Sequence, residues 1–249
     1  MENSSQEALK TPFPRRGLFL KFIILINRKS APKDLFKGAL ILILTAASGS
    51  FCAAPLQDQK GYQALESGRT AESVAYFKEH LQRYPSDSKA RNNLAVAYMR
   101  LGQDDNALGE LQKVIAQTPD DAAAHYNLAL VYNFKGLIDQ EIEEYRKTVS
   151  LSPSHYGAHL NLGHALAEKG RKPEAVEQYL WVLGKTPDNP KVLYNLGLLY
   201  RDLKEKDQAI LMLKKYLETD PGGKYALRAK KILSELAGAG KPAPALPKK

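Results

Sequence analysis

The chain has 249 residues, 44% hydrophobic and 25% charged, with a formal net charge of +9. That is ordinary globular composition, with enough apolar material for one large core or one long array. The basicity is confined to the ends: residues 1–52 hold eight Lys/Arg against three acids, residues 222–249 hold seven against one, and the stretch between is slightly acidic. This distribution excludes a domain-wide electrostatic footprint for nucleic acid. The single cysteine, Cys52, excludes an internal disulfide and a cysteine-based zinc site.

Residues 1–52 read as a targeting segment. Arg28, Lys29, Lys33 and Lys37 precede an apolar run from Gly38 to Phe51, and small residues follow. This is the order of a secretory signal, and the run is short for a spanning helix. A second apolar patch, Gly17–Ile26, is broken by Lys21. Three outcomes stay open: a cleaved signal, an uncleaved membrane tether formed by residues 17–51, and no targeting role. The first two place the chain in an exported setting (periplasmic or secreted) or at the inner membrane. Cys52 resembles a lipoprotein acceptor, but Phe51 stands where a small residue is expected. Arg15-Arg16 resembles a twin-arginine signal with one residue too many.

From Ala54 onward the chain repeats. Pro85, Pro119, Pro153, Pro187 and Pro221 are spaced 34 residues apart without a slip. Seventeen residues before each proline stand Gly68, Gly102, Gly136, Gly170 and Lys204. Twelve before stand Ser73, Ala107, Glu141, Ala175 and Ala209. Eight before stand Phe77, Leu111, Tyr145, Tyr179 and Leu213. Leu94, Leu128, Leu162 and Leu196 align in the first half-units, each preceded by asparagine (Asn93, Asn127, Asn161, Asn195). A column of small residues follows: Gly61, Ala95, Ala129, Gly163 and Gly197.

Each unit holds two apolar stripes at helical spacing, such as Leu94, Tyr98 and Leu101, then Leu108, Leu111 and Ile115. The glycine ends the first helix and the proline stops the second. Small residues let two helix backbones approach, and a helix pair with an unburied apolar face must stack on its neighbours. These columns resemble the tetratricopeptide repeat. The resemblance implies an all-α superhelix, a right-handed solenoid of five helix hairpins at 54–87, 88–121, 122–155, 156–189 and 190–223. The first unit is atypical, with Lys60 and Ala64 where the others carry large apolar residues. Residues 224–236 read as a capping helix with Tyr225, Ala229, Ile232, Leu233 and Leu236 on one stripe. Residues 237–249, rich in Pro, Ala and Lys, read as a flexible tail.

In the family, the first helix of each unit lines a concave groove for a partner peptide or helix. Carried onto this sequence, the groove candidates are Asn92, Val96, Met99 and Arg100; Tyr126, Leu130 and Asn133; Leu160 and His164 (with Ala167); and Tyr194, Leu198 and Arg201. Helical spacing puts each set on one face. A subclass of the family clamps a terminal carboxylate, and here that clamp is incomplete. Asn195 stands where arginine is needed, and Tyr126 and Leu130 replace lysine and asparagine. The asparagine column reads instead as hydrogen bonding between units. His155, His159 and His164 lack a third ligand on one face, so no metal is expected. Phosphate-loop and nucleophile motifs are missing, and Glu143-Glu144 reads as a solvated face. The expectation is a non-enzymatic scaffold that needs no cofactor and binds another protein, not nucleic acid. The alternative is a self-associating accessory subunit of an envelope assembly.

Overall fold

The computed structural model describes residues 56–238, with side chains from residue 59. The targeting segment, the candidate tether 17–51, Cys52 and most of the C-terminal tail lie outside the described residues.

Eleven helices and no strand occupy the described residues. In chain order they are α1 (Leu56–Glu66), α2 (Thr70–Arg83), α3 (Ser88–Arg100), α4 (Asp104–Gln117), α5 (Ala122–Phe134), α6 (Ile138–Leu151), α7 (Tyr156–Glu168), α8 (Lys172–Lys185), α9 (Pro190–Asp202), α10 (Lys206–Thr219) and α11 (Ala226–Gly238). Each packs on the next, and α3 also touches α1 and α5. Contacts between near neighbours only are the signature of a solenoid. The architecture is the expected all-α superhelical solenoid of helix hairpins.

The 34-residue columns acquire physical roles. Gly68, Gly102, Gly136 and Gly170 take φ between 68° and 81°, the left-handed turn after the first helix. Lys204 takes the same conformation at φ 65°. Two residues after each of the first four repeat prolines lies a helix N-cap. Asp87 accepts from the Ala90 amide, Asp121 from Ala123 and Ala124, the His155 Nδ1 from Ala158, and Asn189 from Val192. These acceptors satisfy amides that the next helix leaves without a carbonyl partner.

Phe77, Leu111, Tyr145, Tyr179 and Leu213 are all at most 1% exposed and fill the gaps between units. Opposite three of them the glycines leave no spare room. A Cβ on Gly61 would lie 2.8 Å from the Phe77 ring, one on Gly163 3.0 Å from Tyr179, and one on Gly197 2.6 Å from Leu213. The buried apolar residues form two clusters that meet at α5, with Leu128 and Val131 in the first and Ala129 in the second.

Two readings need correction. The last helix starts at Ala226 and ends at Gly238, two residues later than expected. Gly223 holds the N-cap column there and offers no side-chain acceptor. Glu144 is not a solvated acid: its carboxylate meets the buried His125 Nδ1 at 2.5 Å, while Glu143 stays 70% exposed.

Candidate functional site

The first helices α5, α7 and α9 face two adjoining cavities. The first, about 320 Å³, is lined by Leu130 and Asn133 of α5, Glu141 and Tyr145 of α6, and Asn161, His164, Ala165 and Glu168 of α7. The second, about 310 Å³, is lined by His164, Ala167 and Glu168 of α7, Lys172 and Tyr179 of α8, and Asn195, Leu198, Leu199 and Asp202 of α9. His164 and Glu168 belong to both.

The asparagine column builds the floor. Asn161 Nδ2 donates to the hydroxyls of Tyr126 and Tyr145, each at 3.2 Å, and Asn195 Nδ2 donates to the Tyr179 hydroxyl at 3.2 Å. Asn127 Nδ2 donates to Asn92 Oδ1 at 3.0 Å. Asn93 breaks the pattern, since its buried amide nitrogen has no hydrogen-bond partner among the described residues. Burial pushes the Tyr179 phenol up to about 12, against the opposing bond from Asn195. Burial raises the Tyr145 phenol as well, so both hydroxyls that line the cavities stay protonated at physiological pH while accepting from the asparagines.

The ionisable walls are perturbed in opposite senses. Burial raises the Glu141 carboxyl above its ordinary range, and the Glu168 charge adds to this, while the bond from Asn133 Nδ2 to Oε1 at 3.1 Å opposes it. Desolvation lowers His164, Lys191 lowers it further, and Glu168 works the other way. His164 thus sits neutral at pH 7, able to donate or accept one hydrogen bond. At the far end Lys172 Nζ pairs with Asp202 at 3.2 Å. Burial alone would raise the Asp202 carboxyl, but Arg201 and Lys172 together hold it below the usual range.

The structure sorts the groove candidates. Leu130, Asn133, His164 and Leu198, with Ala167, line the two cavities. The α3 set lies apart: Val96 and Met99 pack on the first core cluster, Asn92 accepts from Asn127, and Arg100 Nη1 donates to the Leu65 carbonyl at 2.6 Å. Leu160 is half-buried against the second cluster, and Arg201 pairs with Asp202 at 2.7 Å. Tyr194 is no open groove residue. It is 3% exposed, its ring stacked on Tyr225 at 4.5 Å and tilted against Tyr216 at 5.3 Å. Tyr225, just before the last helix, covers it. Tyr126 holds the equivalent position, and its ring packs against His155 at 4.6 Å, between units.

Sequence reasoning missed Glu141, Glu168, Lys172 and Asp202. A signal for Glu141 was present in its column. Ser73, Ala107, Ala175 and Ala209 stand at the same place in the other units, and all are fully buried. A carboxylate in a column of alanines departs from the rule the rest of the chain obeys, and such departures concentrate at functional sites.

Models of the tetratricopeptide repeat match residues 64–132, 122–155 and 160–224. These are tetratricopeptide repeats. Solved TPR structures share the fold. MamA is 22% identical, the match covering 69% of this chain and 93% of that one, with a TM-score of 0.61. YrrB, described as a TPR protein with an unusual peptide-binding site, is 20% identical over 76% of this chain and 97% of that one, with a TM-score of 0.63. At these identities the likeness shows the TPR fold alone. No curated protein matches the chain significantly. Among the described residues, no His/Cys/Asp/Glu cluster of three or more suits a metal ion, and no helix is long and apolar enough to cross a membrane.

Proposed function

We propose that the TPR array is a non-catalytic scaffold whose concave face, centred on α5, α7 and α9, binds a segment of another protein. The pair of adjoining cavities that share His164 and Glu168 carries this reading. Their lining mixes apolar anchors (Leu130, Leu198, Leu199) with polar groups, of which Asn133 and Asn161 are held by hydrogen bonds and His164 is exposed, the mix that orients a bound polypeptide. The peptide-binding site described for YrrB lends support on the same fold. Export or membrane attachment follows from the order of basic, apolar and small residues before Ala54. N-terminal sequencing of the mature chain checks that part: a start near residue 50 supports cleavage, whereas a start at Met1 excludes it.

The groove reading is tested with Leu198→Glu and His164→Ala in the full chain. Both positions lie on the cavity walls, outside the buried columns. Affinity capture from the native cells identifies the co-purifying protein, and the variants lose it while melting within a few degrees of the parent. Retention of that partner by both variants contradicts the reading.

A further inference from the structure

The first cavity holds two carboxylates and no paired cation. Glu141 is 4% exposed, yet only its Oε1 is bonded, by a neutral amide. Among the described residues the second carboxyl oxygen has no hydrogen-bond partner, and it is not sealed from solvent. Glu168, exposed at the cavity rim, has neither an ion pair nor a hydrogen bond among the described residues. Lys191 is near enough to His164 to act on it, but no salt bridge among the described residues joins it to either acid. Lys172, the one cation lining the neighbouring cavity, is already held by Asp202.

A buried carboxylate without a cation is costly, and the cost is normally relieved by a partner or by protonation. This chain shows how readily the acid is avoided, because three other units place alanine there. One more residue of the same cavity departs from its column. His164 stands where other units have Tyr62, Val96, Leu130 and Leu198, whereas Glu168 keeps the acid that Glu66 and Asp202 also place in its column. We infer that this cavity receives the side chain of a lysine or arginine from the bound polypeptide, held between Glu141 and Glu168, with a neighbouring apolar side chain seated against Ala167, Leu198 and Leu199. A guanidinium or ammonium supplies the donors that the free carboxylate oxygens lack. The chemistry is opposite to that of a carboxylate clamp. The inference rests on the groove reading and narrows it to a basic-apolar motif.

The test uses blocked pentapeptides of sequence alanine-leucine-X-leucine-alanine, with X arginine, glutamine or glutamate, titrated into the full chain by calorimetry. Two variants accompany the parent. Glu141→Ala installs the residue that other units tolerate, and Glu168→Gln keeps shape while removing charge. The arginine peptide binds at least about tenfold more tightly than the glutamine peptide, the worth of one charge-assisted hydrogen bond. Glu141→Ala abolishes that preference, Glu168→Gln weakens it, and neither lowers the melting temperature. A preference unchanged in both variants overturns the inference. Equal binding of all three peptides also overturns it and leaves the groove reading intact. If no peptide binds, the inference falls, and partner capture alone then decides the groove.

Discussion

At the level of single residues, the repeat columns fix what each side chain must do, and the exceptions are informative. His155 caps α7 through Nδ1, where other units use aspartate or asparagine. An imidazole accepts there only when that nitrogen carries no proton. His155→Asn therefore preserves the cap, and His155→Ala lowers stability by about 1 kcal/mol, read from the urea midpoint at pH 7. Lys204 stands in the left-handed conformation that the other turns give to glycine. Lys204→Gly removes a strain of about 1 kcal/mol, so the melting temperature rises. A fall would show that the turn is not strained. The columns themselves, with their prolines, glycines and large apolar residues, were readable in sequence because each acts locally or at fixed repeat spacing. The N-caps were equally periodic, but three residue types share the role and mask it.

Between elements, the units are joined by a polar staple that repeats with variation. Arg91, His125 and His159 each bond the carbonyl of the proline six residues earlier, and each reaches across to the residue nineteen later: Glu110, Glu144 and Gln178. In the fifth unit the same two positions are Leu193 and Met212, both buried. The chain thus contains its own experiment on replacing a buried polar pair by an apolar one. His125→Leu alone strands Glu144 and the Pro119 carbonyl and costs about 1–3 kcal/mol. The double change His125→Leu/Glu144→Met recovers most of that loss. A double-mutant cycle by denaturant unfolding checks it, and additive losses would contradict the pairing. Burial in this staple explains why Glu144 was misread as solvated: its partner lies nineteen residues away, beyond any helical spacing. Close packing makes a second demand. The Cβ of Gly197→Ala would meet Leu213 at 2.6 Å, and the substitution costs about 1–3 kcal/mol by overpacking. Leu128→Ala, at a 3% exposed site, costs about 2–5 kcal/mol.

Across the whole molecule, electrostatics and end-capping set the limits. Burial favours protonation of the Glu110 carboxyl, but Lys113 and Arg91 outweigh it and hold the group below the usual range. Asp202 behaves alike. A carboxyl depressed in the folded state stabilises above its unfolded value, near 4, and loses that contribution as pH falls through its folded value. His164, also depressed, removes stability as pH drops below about 6.5, because the unfolded chain takes up the proton first. The melting temperature therefore declines from pH 7 toward pH 3, and Glu110→Gln shallows the acid limb. The segment leading into the last helix closes the array by laying Tyr225 on Tyr194. This is why Tyr194 looked like a groove residue in sequence, since only the succeeding element reveals that its position is covered. The cavities pose the same difficulty. Asn133, Glu141, His164 and Glu168 come from three helices, and their convergence appears only after the superhelix is built.

The central claim is that the concave face around α5, α7 and α9 is where another protein sits. Photo-crosslinking tests it most directly. Benzoylphenylalanine is placed at Asn133 or Leu198 on the cavity walls, and at Leu180 or Leu211, which are 43% and 46% exposed and line neither cavity. The account predicts partner adducts from positions 133 and 198 and none from 180 or 211. Adducts confined to 180 and 211 would contradict it.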